Sequence, residues 1–239
     1  MTRHDASCTT LVAGLLALWM GLTNAMLDYL RASMRPWLIA AAVALCALGI
    51  YGLVSEAIRA NREPHRHDGH WPRMGWFLVI PVLVVIVTGH EPLGSFAAGR
   101  SGTRGLPKYA FDIAEYAQST GTTVPKLEIL DVFQGADQPG NRAYLLDHDV
   151  SLLGFVTREG PAVPNSFVLN RFLISCCAAD ATALSLRMVG SARVPTSDAW
   201  VRVRARLLPT FSGGTPRIVM QVKSVQSAHA PSNPYEGYR

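Results

Sequence analysis

Two uncharged apolar runs near the start of the chain restrict its fold more than any other feature. Residues 9–27 (TTLVAGLLALWMGLTNAML) carry no formal charge, and 19 residues rising about 1.5 Å each roughly match a hydrocarbon core of about 30 Å. Residues 36–55 (PWLIAAAVALCALGIYGLVS) form the second run, opened by a proline whose missing N–H costs nothing in a first helical turn. The link at residues 29–35 is so short that the two helices must return as an antiparallel hairpin. A third run, about residues 74–90, is shorter and carries Pro81 near its middle, so it spans only with little tilt, local thinning or a kink. These observations predict a membrane region over residues 1–92, with spans at about 9–29, 36–55 and 74–90. A cleaved signal peptide is the rival for the first run, but that run is long and lacks a small-x-small site.

Three spans place the N-terminus and the 56–73 loop on one side, and the hairpin link and everything after Glu91 on the other. Arg3, Arg59, Arg62, Arg66 and Arg73 then oppose Arg31, Arg35, Arg100, Arg104 and Lys108, so positive charge does not decide orientation. The short N-terminus and the loop arginines lean toward N-in, which predicts a bacterial cytoplasmic-membrane protein whose C-terminal domain is extracytoplasmic. His65, His67 and His70 fall within that loop. Neutral imidazoles so clustered suit a low-affinity collector of divalent transition metal, though a plain polar connector reads the same way.

The rest of the chain is too polar for a membrane, which is why mean hydropathy over all 239 residues is only +0.18. Residues 93–124 are Gly-rich and read as a linker carrying one short amphipathic helix, with Arg100, Arg104 and Lys108 placed to meet lipid phosphates. From residue 125 to 239 the pattern changes to short β runs separated by turn residues. Strands are expected at 126–133, 150–157, 167–177, 199–208 and 217–225, with a helix at 181–189. Five strands in this space predict a small Greek-key barrel of the OB type, followed by a C-terminal tail. The fold class is therefore membrane-anchored all-β: about three N-terminal helices, then an OB-like five-stranded barrel.

In residues 199–207, Val201, Val203, Ala205 and Leu207 alternate with Trp200, Arg202, Arg204 and Arg206, giving one core face and one basic face. The arginine ladder suits an anionic or acidic partner. Nucleic acid is an unlikely one, because single-strand platforms interleave several stacking aromatics and only Trp200 qualifies. Residues 166–177 are apolar on both faces, as in a buried central strand, but Asn170 and Arg171 interrupt them and need polar partners.

That strand leads into Ser175-Cys176-Cys177-Ala178-Ala179-Asp180. Neighbours on a strand point to opposite faces, so the two thiols act together only if the strand ends by Ser175. In a turn, Cys176, Cys177 and Asp180 can converge as two soft sulfurs and a carboxylate, a donor set for zinc or another thiophilic metal. Buried or vicinally disulfide-bonded cysteines and a redox or nucleophilic thiol are the alternatives. The last would need a positioned base and a depressed pKa, and no Cys-x-x-Cys spacing or nearby histidine supplies them. No catalytic residues are expected.

The order of a membrane hairpin, a His-containing loop, a Pro-bearing run ending in Pro92-Leu93-Gly94-Ser95, then Arg171-Phe172, Ser175 to Ala181, Asp198-Ala199-Trp200-Val201, and a closing Pro231 to Pro234-Tyr235 resembles the YcgQ-like permease-subunit family of bacteria. The resemblance implies a small membrane protein working beside a larger multi-spanning permease subunit, without enzymatic activity. It spans nearly the whole chain, and the double-Cys stretch is its most specific part. The departure is a modest histidine loop in place of a long His-rich tract.

Overall fold

A computed structural model describes residues 3–60, 93–98, 111–158, 165–209 and 218–237. It divides into two compact units, Met1–Glu91 and Pro92–Arg239. The 74–90 run and the histidine loop lie outside the described residues.

In the first unit, helix α1 (Arg3–Leu22) packs antiparallel against α2 (Arg35–Ala60). Opposing positions run in reverse order: Gly14 faces Cys46, Gly21 faces Ile39, Gly49 faces Leu11 and Gly52 faces Ser7. A Cβ on Gly14 would lie 2.8 Å from the Cys46 backbone nitrogen, and one on Gly49 2.8 Å from that of Leu11, so the helices are as close as only glycine allows. Small residues at the seam are how helices associate where water supplies no driving force. Large apolar side chains point outward instead, including Trp19, Trp37, Leu48, Tyr51 and Ile58.

One helix among the described residues is long and apolar enough to cross a membrane. It covers Ala32–Arg59, 28 residues whose most apolar window has a mean hydropathy of 2.3. So close to the N-terminus, this length and composition fit a membrane anchor or a signal sequence. The expected first span, residues 9–29, is cut short, because α1 ends at Leu22 and two 3-10 turns follow, Asn24–Asp28 and Ala32–Met34. Its apolar stretch, Ala6–Leu22, is shorter than a full span. Arg35 braces the chain just past the stop: its guanidinium donates to the Thr23 carbonyl at 3.2 Å and to Asn24 Oδ1 at 3.3 Å.

The second unit is built on a closed five-stranded barrel. Its strands are β2 (Val150–Thr157), β3 (Ser166–Leu173), β4 (Thr182–Val189), β5 (Trp200–Leu207) and β6 (Val219–Ser227). Around the barrel the order is β2-β5-β6-β4-β3 and back to β2, with only β4 and β6 parallel. Two-residue strands extend it, β1 (Lys126–Leu127) beside β2 and β7 (Tyr235–Glu236) beside β3. The seam that closes the barrel, β2 to β3, holds only three residue pairs.

Five strands are present, but two expected elements change type. Residues 126–133 are mostly not strand: Glu128 and Asp131 form a capping box that starts helix α5 (Ile129–Gly135). Residues 181–189, expected as a helix, form β4, since closing the barrel between β3 and β6 outweighs the helix propensity of Ala, Leu and Met. Gln138-Pro139-Gly140, a turn signal in the sequence, opens helix α6 (Pro139–Asp147), with proline in its first turn. A short helix, α4 (Ile113–Thr120), does interrupt the Gly-rich stretch; Asp112 caps it by accepting from Ala114 and Glu115 N–H, and Gly121 ends it at φ 61°.

The main core gathers the inward faces of the barrel, such as Leu152, Leu169, Leu186 and Val203, with Ile129 and Leu130 of α5 and Leu145 of α6. A second, smaller cluster joins Phe155, Phe172, Ile174, Ala183 and Tyr235. Packed on it are Trp200, Ala178, Ala181, and Leu93, Ala97 and Ala98 around the single turn α3 (Ser95–Ala98). This second cluster carries the candidate site.

Candidate metal centre

β3 ends at Leu173, and the chain leaves the sheet at Ser175, where the two cysteines need it to. The N–H groups released there are satisfied from downstream. Asp180, closing the 3-10 turn Ala178–Asp180, accepts from Ser175 N–H through Oδ1 at 2.9 Å and from Cys176 N–H through Oδ2 at 2.8 Å. Cys177 is extended, with φ −151° and ψ 169°, and the sulfurs of Cys176 and Cys177 lie 3.7 Å apart. The ligand atoms of Cys176, Cys177 and Asp180 all fall within 4.8 Å of one another. Among the described residues no other group of three such side chains comes so close. Cys176 and Asp180 are exposed and Cys177 is half-buried, so an ion can reach them.

The electrostatics favour a protonated Cys176. The Cys176 thiol is pushed up to about 11, first by its hydrogen bond to Asp180 and then by its bond to Cys177. Partial burial pushes the Asp180 carboxyl up, but hydrogen bonds from the Cys176 thiol and from the Ser175, Cys176 and Cys177 N–H groups outweigh it and hold the pKa below the ordinary value. A thiol raised in this way is not an activated nucleophile.

Asn170 and Arg171 are both turned to internal use. Asn170 is buried, donates across the seam to Thr157 Oγ1 at 2.9 Å and accepts from Ser185 Oγ at 2.7 Å. Arg171, 8% exposed, stacks its guanidinium 5.4 Å from the Trp200 ring centre and donates to the Asn233 carbonyl at 3.3 Å, while its Nε has no hydrogen-bond partner among the described residues. Its field acts on Glu236, whose carboxylate is buried and accepts from Ile129 N–H at 2.7 Å and Leu130 N–H at 2.8 Å. Sequence reasoning missed Glu236, since a glutamate between Tyr235 and Gly237 carries no signal of burial. Asp198, quoted in the sequence as part of a segment without a role of its own, is held at φ 62° and accepts from Ser95 N–H and Ser95 Oγ at 2.7 Å each. The Gly94-Ser95, Arg171-Phe172, Asp198 to Trp200 and Tyr235 segments singled out in the sequence thus meet around the second cluster.

His65, His67 and His70 lie outside the described residues. His148, in the acidic turn Asp147-His148-Asp149 and in sequence a weak candidate for a fourth metal ligand, stacks on Tyr144 with ring centres 4.2 Å apart. On β5, Arg202 is half-exposed, while Arg204 and Arg206 share Asp149 through Nε at 2.9 and 2.8 Å. Partial burial pushes the Asp149 carboxyl up, yet the two arginines hold it below its ordinary value, so this contribution to stability fades as the pH falls through the carboxylate range. Asp149→Ala is expected to cost on the order of 1 kcal/mol, since both arginines are substantially exposed and screened. Denaturant titration at low and at 1 M salt checks this, and a loss that does not shrink with salt contradicts the ion-pair account.

The sequence profile of the DUF1980 C-terminal domain matches residues 140–237, which take in the five barrel strands, the thiol turn and β7. No curated protein and no solved structure matches the chain.

Proposed function

We propose that the protein is a membrane-anchored accessory subunit of a bacterial permease whose barrel presents Cys176, Cys177 and Asp180 to a thiophilic metal ion, zinc above all. The observation that carries the metal reading is the 3.7 Å sulfur separation. Two ligands at 2.3 Å from a tetrahedral ion are about 3.8 Å apart, whereas a linear two-sulfur site needs about 4.6 Å. Asp180 supplies a third donor, and a fourth position stays open to water or to a donor from the permease. The order of strands around the barrel supports the OB-type reading. The exposed apolar perimeter of the α1–α2 hairpin supports a lipid bilayer as its surroundings. Partnership with a larger multi-spanning permease subunit, the cytoplasmic-membrane location and the extracytoplasmic barrel rest on the YcgQ-like resemblance and on the charge argument.

Zinc titration of the full chain in detergent, against a chromogenic chelator, tests the site. Wild type is expected to bind one ion, and the Cys176→Ser/Cys177→Ser double variant to lose that binding with its barrel intact by circular dichroism. Equal, weak binding by both proteins sinks the metal reading. A second reading, a docking domain with structural cysteines, is favoured by the half-exposed Arg202 on the basic face of β5.

A further inference from the structure

The thiol turn has no rigid element of its own, because it is a single 3-10 turn hanging from the end of β3. β4 holds one edge of that end, with Leu173 opposite Thr182, and β7 holds the other. Tyr235 and Glu236 pair in parallel with Phe172 and Leu173, and Ile174 N–H, one residue before the turn, donates to the Glu236 carbonyl at 3.4 Å. Tyr235, buried, shares its cluster with Phe172, Ile174 and the turn's own Ala178 and Ala181. A two-residue strand cannot hold itself, so its anchors matter. They are the Arg171 bond to the Asn233 carbonyl and, above all, the Glu236 carboxylate, each of whose oxygens accepts a backbone N–H at the start of α5.

We infer that residues 233–236 form a strap that sets the geometry of the thiol site, with Glu236 as its positioning residue. Glu236 touches no ligand atom. It fastens β7 to α5, β7 braces the edge of β3 that β4 does not cover, and that brace helps set where Ser175 and Cys176 offer their N–H groups to Asp180. The inference rests on the metal reading of the turn. It makes ion affinity depend on a carboxylate remote in sequence from both thiols, and so open to control by whatever moves the strap.

The test compares full-length wild type, Glu236→Gln and Glu236→Ala in detergent by zinc titration and by amide hydrogen exchange. Supports of metal ligands typically govern about 10- to 100-fold in affinity. Glu236→Ala is therefore expected to weaken zinc binding by about 10-fold or more, and Glu236→Gln, which keeps one acceptor, by less. Exchange at Ser175 and Cys176, whose N–H groups are bound by Asp180, should speed up in the same order. Asp149→Ala serves as the stability control, since it acts on β5 and should leave affinity unchanged. If it weakens zinc binding as much as Glu236→Ala, the effect is general destabilisation and the strap is refuted. Should wild type bind no zinc, the metal reading fails by itself, and exchange alone then decides the strap: unchanged protection at Ser175 and Cys176 in both Glu236 variants overturns it. If Glu236→Ala does not fold, Glu236→Gln carries both comparisons.

Discussion

Arg171→Met is expected to destabilise the barrel by about 3–5 kcal/mol at pH 8 and by much less at pH 5. Arg171 and Glu236 are both almost fully buried, and removing the cation strands the carboxylate. Burial already pushes Glu236 up from 4.5 to about 7, against the pull of Arg171 and with the help of the Glu128 charge. Between those values the folded protein keeps a proton that the unfolded chain has released. Stability therefore falls as the pH rises from 4.5 to about 7 in the wild type. Without Arg171 the folded-state pKa climbs further, so the loss continues above pH 7. At pH 5 Glu236 is largely protonated in the folded state, and methionine also relieves the cost of burying the guanidinium, which lowers the Arg171 pKa. Chemical denaturation of the detergent-solubilised chain at the two pH values measures the difference. Equal losses at both would show that Arg171 acts through packing on Trp200 alone.

Gly154→Ala should be as damaging for a different reason. A Cβ there would lie 2.6 Å from the Asn170 carbonyl oxygen and 3.0 Å from Leu169 Cγ. The first contact is backbone, which cannot swing aside. It also falls on the β2–β3 seam, the three-pair junction that closes the barrel and that the Asn170 amide bridges. Overpacking a tight core costs roughly 1–3 kcal/mol and occasionally more, and a backbone clash at a three-pair junction belongs at the upper end. The expected result is a loss of about 3 kcal/mol with faster amide exchange at Phe155 and Thr157, whose N–H groups face β3 since that of Val156 turns to Ala199. A variant as stable as wild type would mean that β2 and β3 are not joined there.

Much of the barrel was legible because one face of a strand is core and the other is not. Residues 199–208 carried that signal and appear as β5 less one residue at each end, and residues 150–157 appear as β2 with the expected bounds. Residues 126–133 carried an apolar pattern too, but Glu128 and Asp131 sit three apart, and their reciprocal capping starts a helix. Residues 181–189 are rich in residues that favour helices in isolation. Their strand state is imposed by eight pairs to β3 and three to β6, contacts that no local window contains.

The sequence by itself determined the apolar hairpin, the alternation of β5 and the requirement that the thiols act from a turn, because each follows from periodicities of one local segment. Tertiary structure decided which strand neighbours which, that Asn170 and Arg171 serve the interior, and that Asp149 holds two of the β5 arginines. It also decided that Asp180 folds back on Ser175 and Cys176, and that Glu236, more than 100 residues from Ile129 and Leu130, is fastened to their N–H groups. Those outcomes depend on buried polar groups finding partners, and a buried group takes whichever partner the closed barrel brings within reach, however far away it lies in the chain.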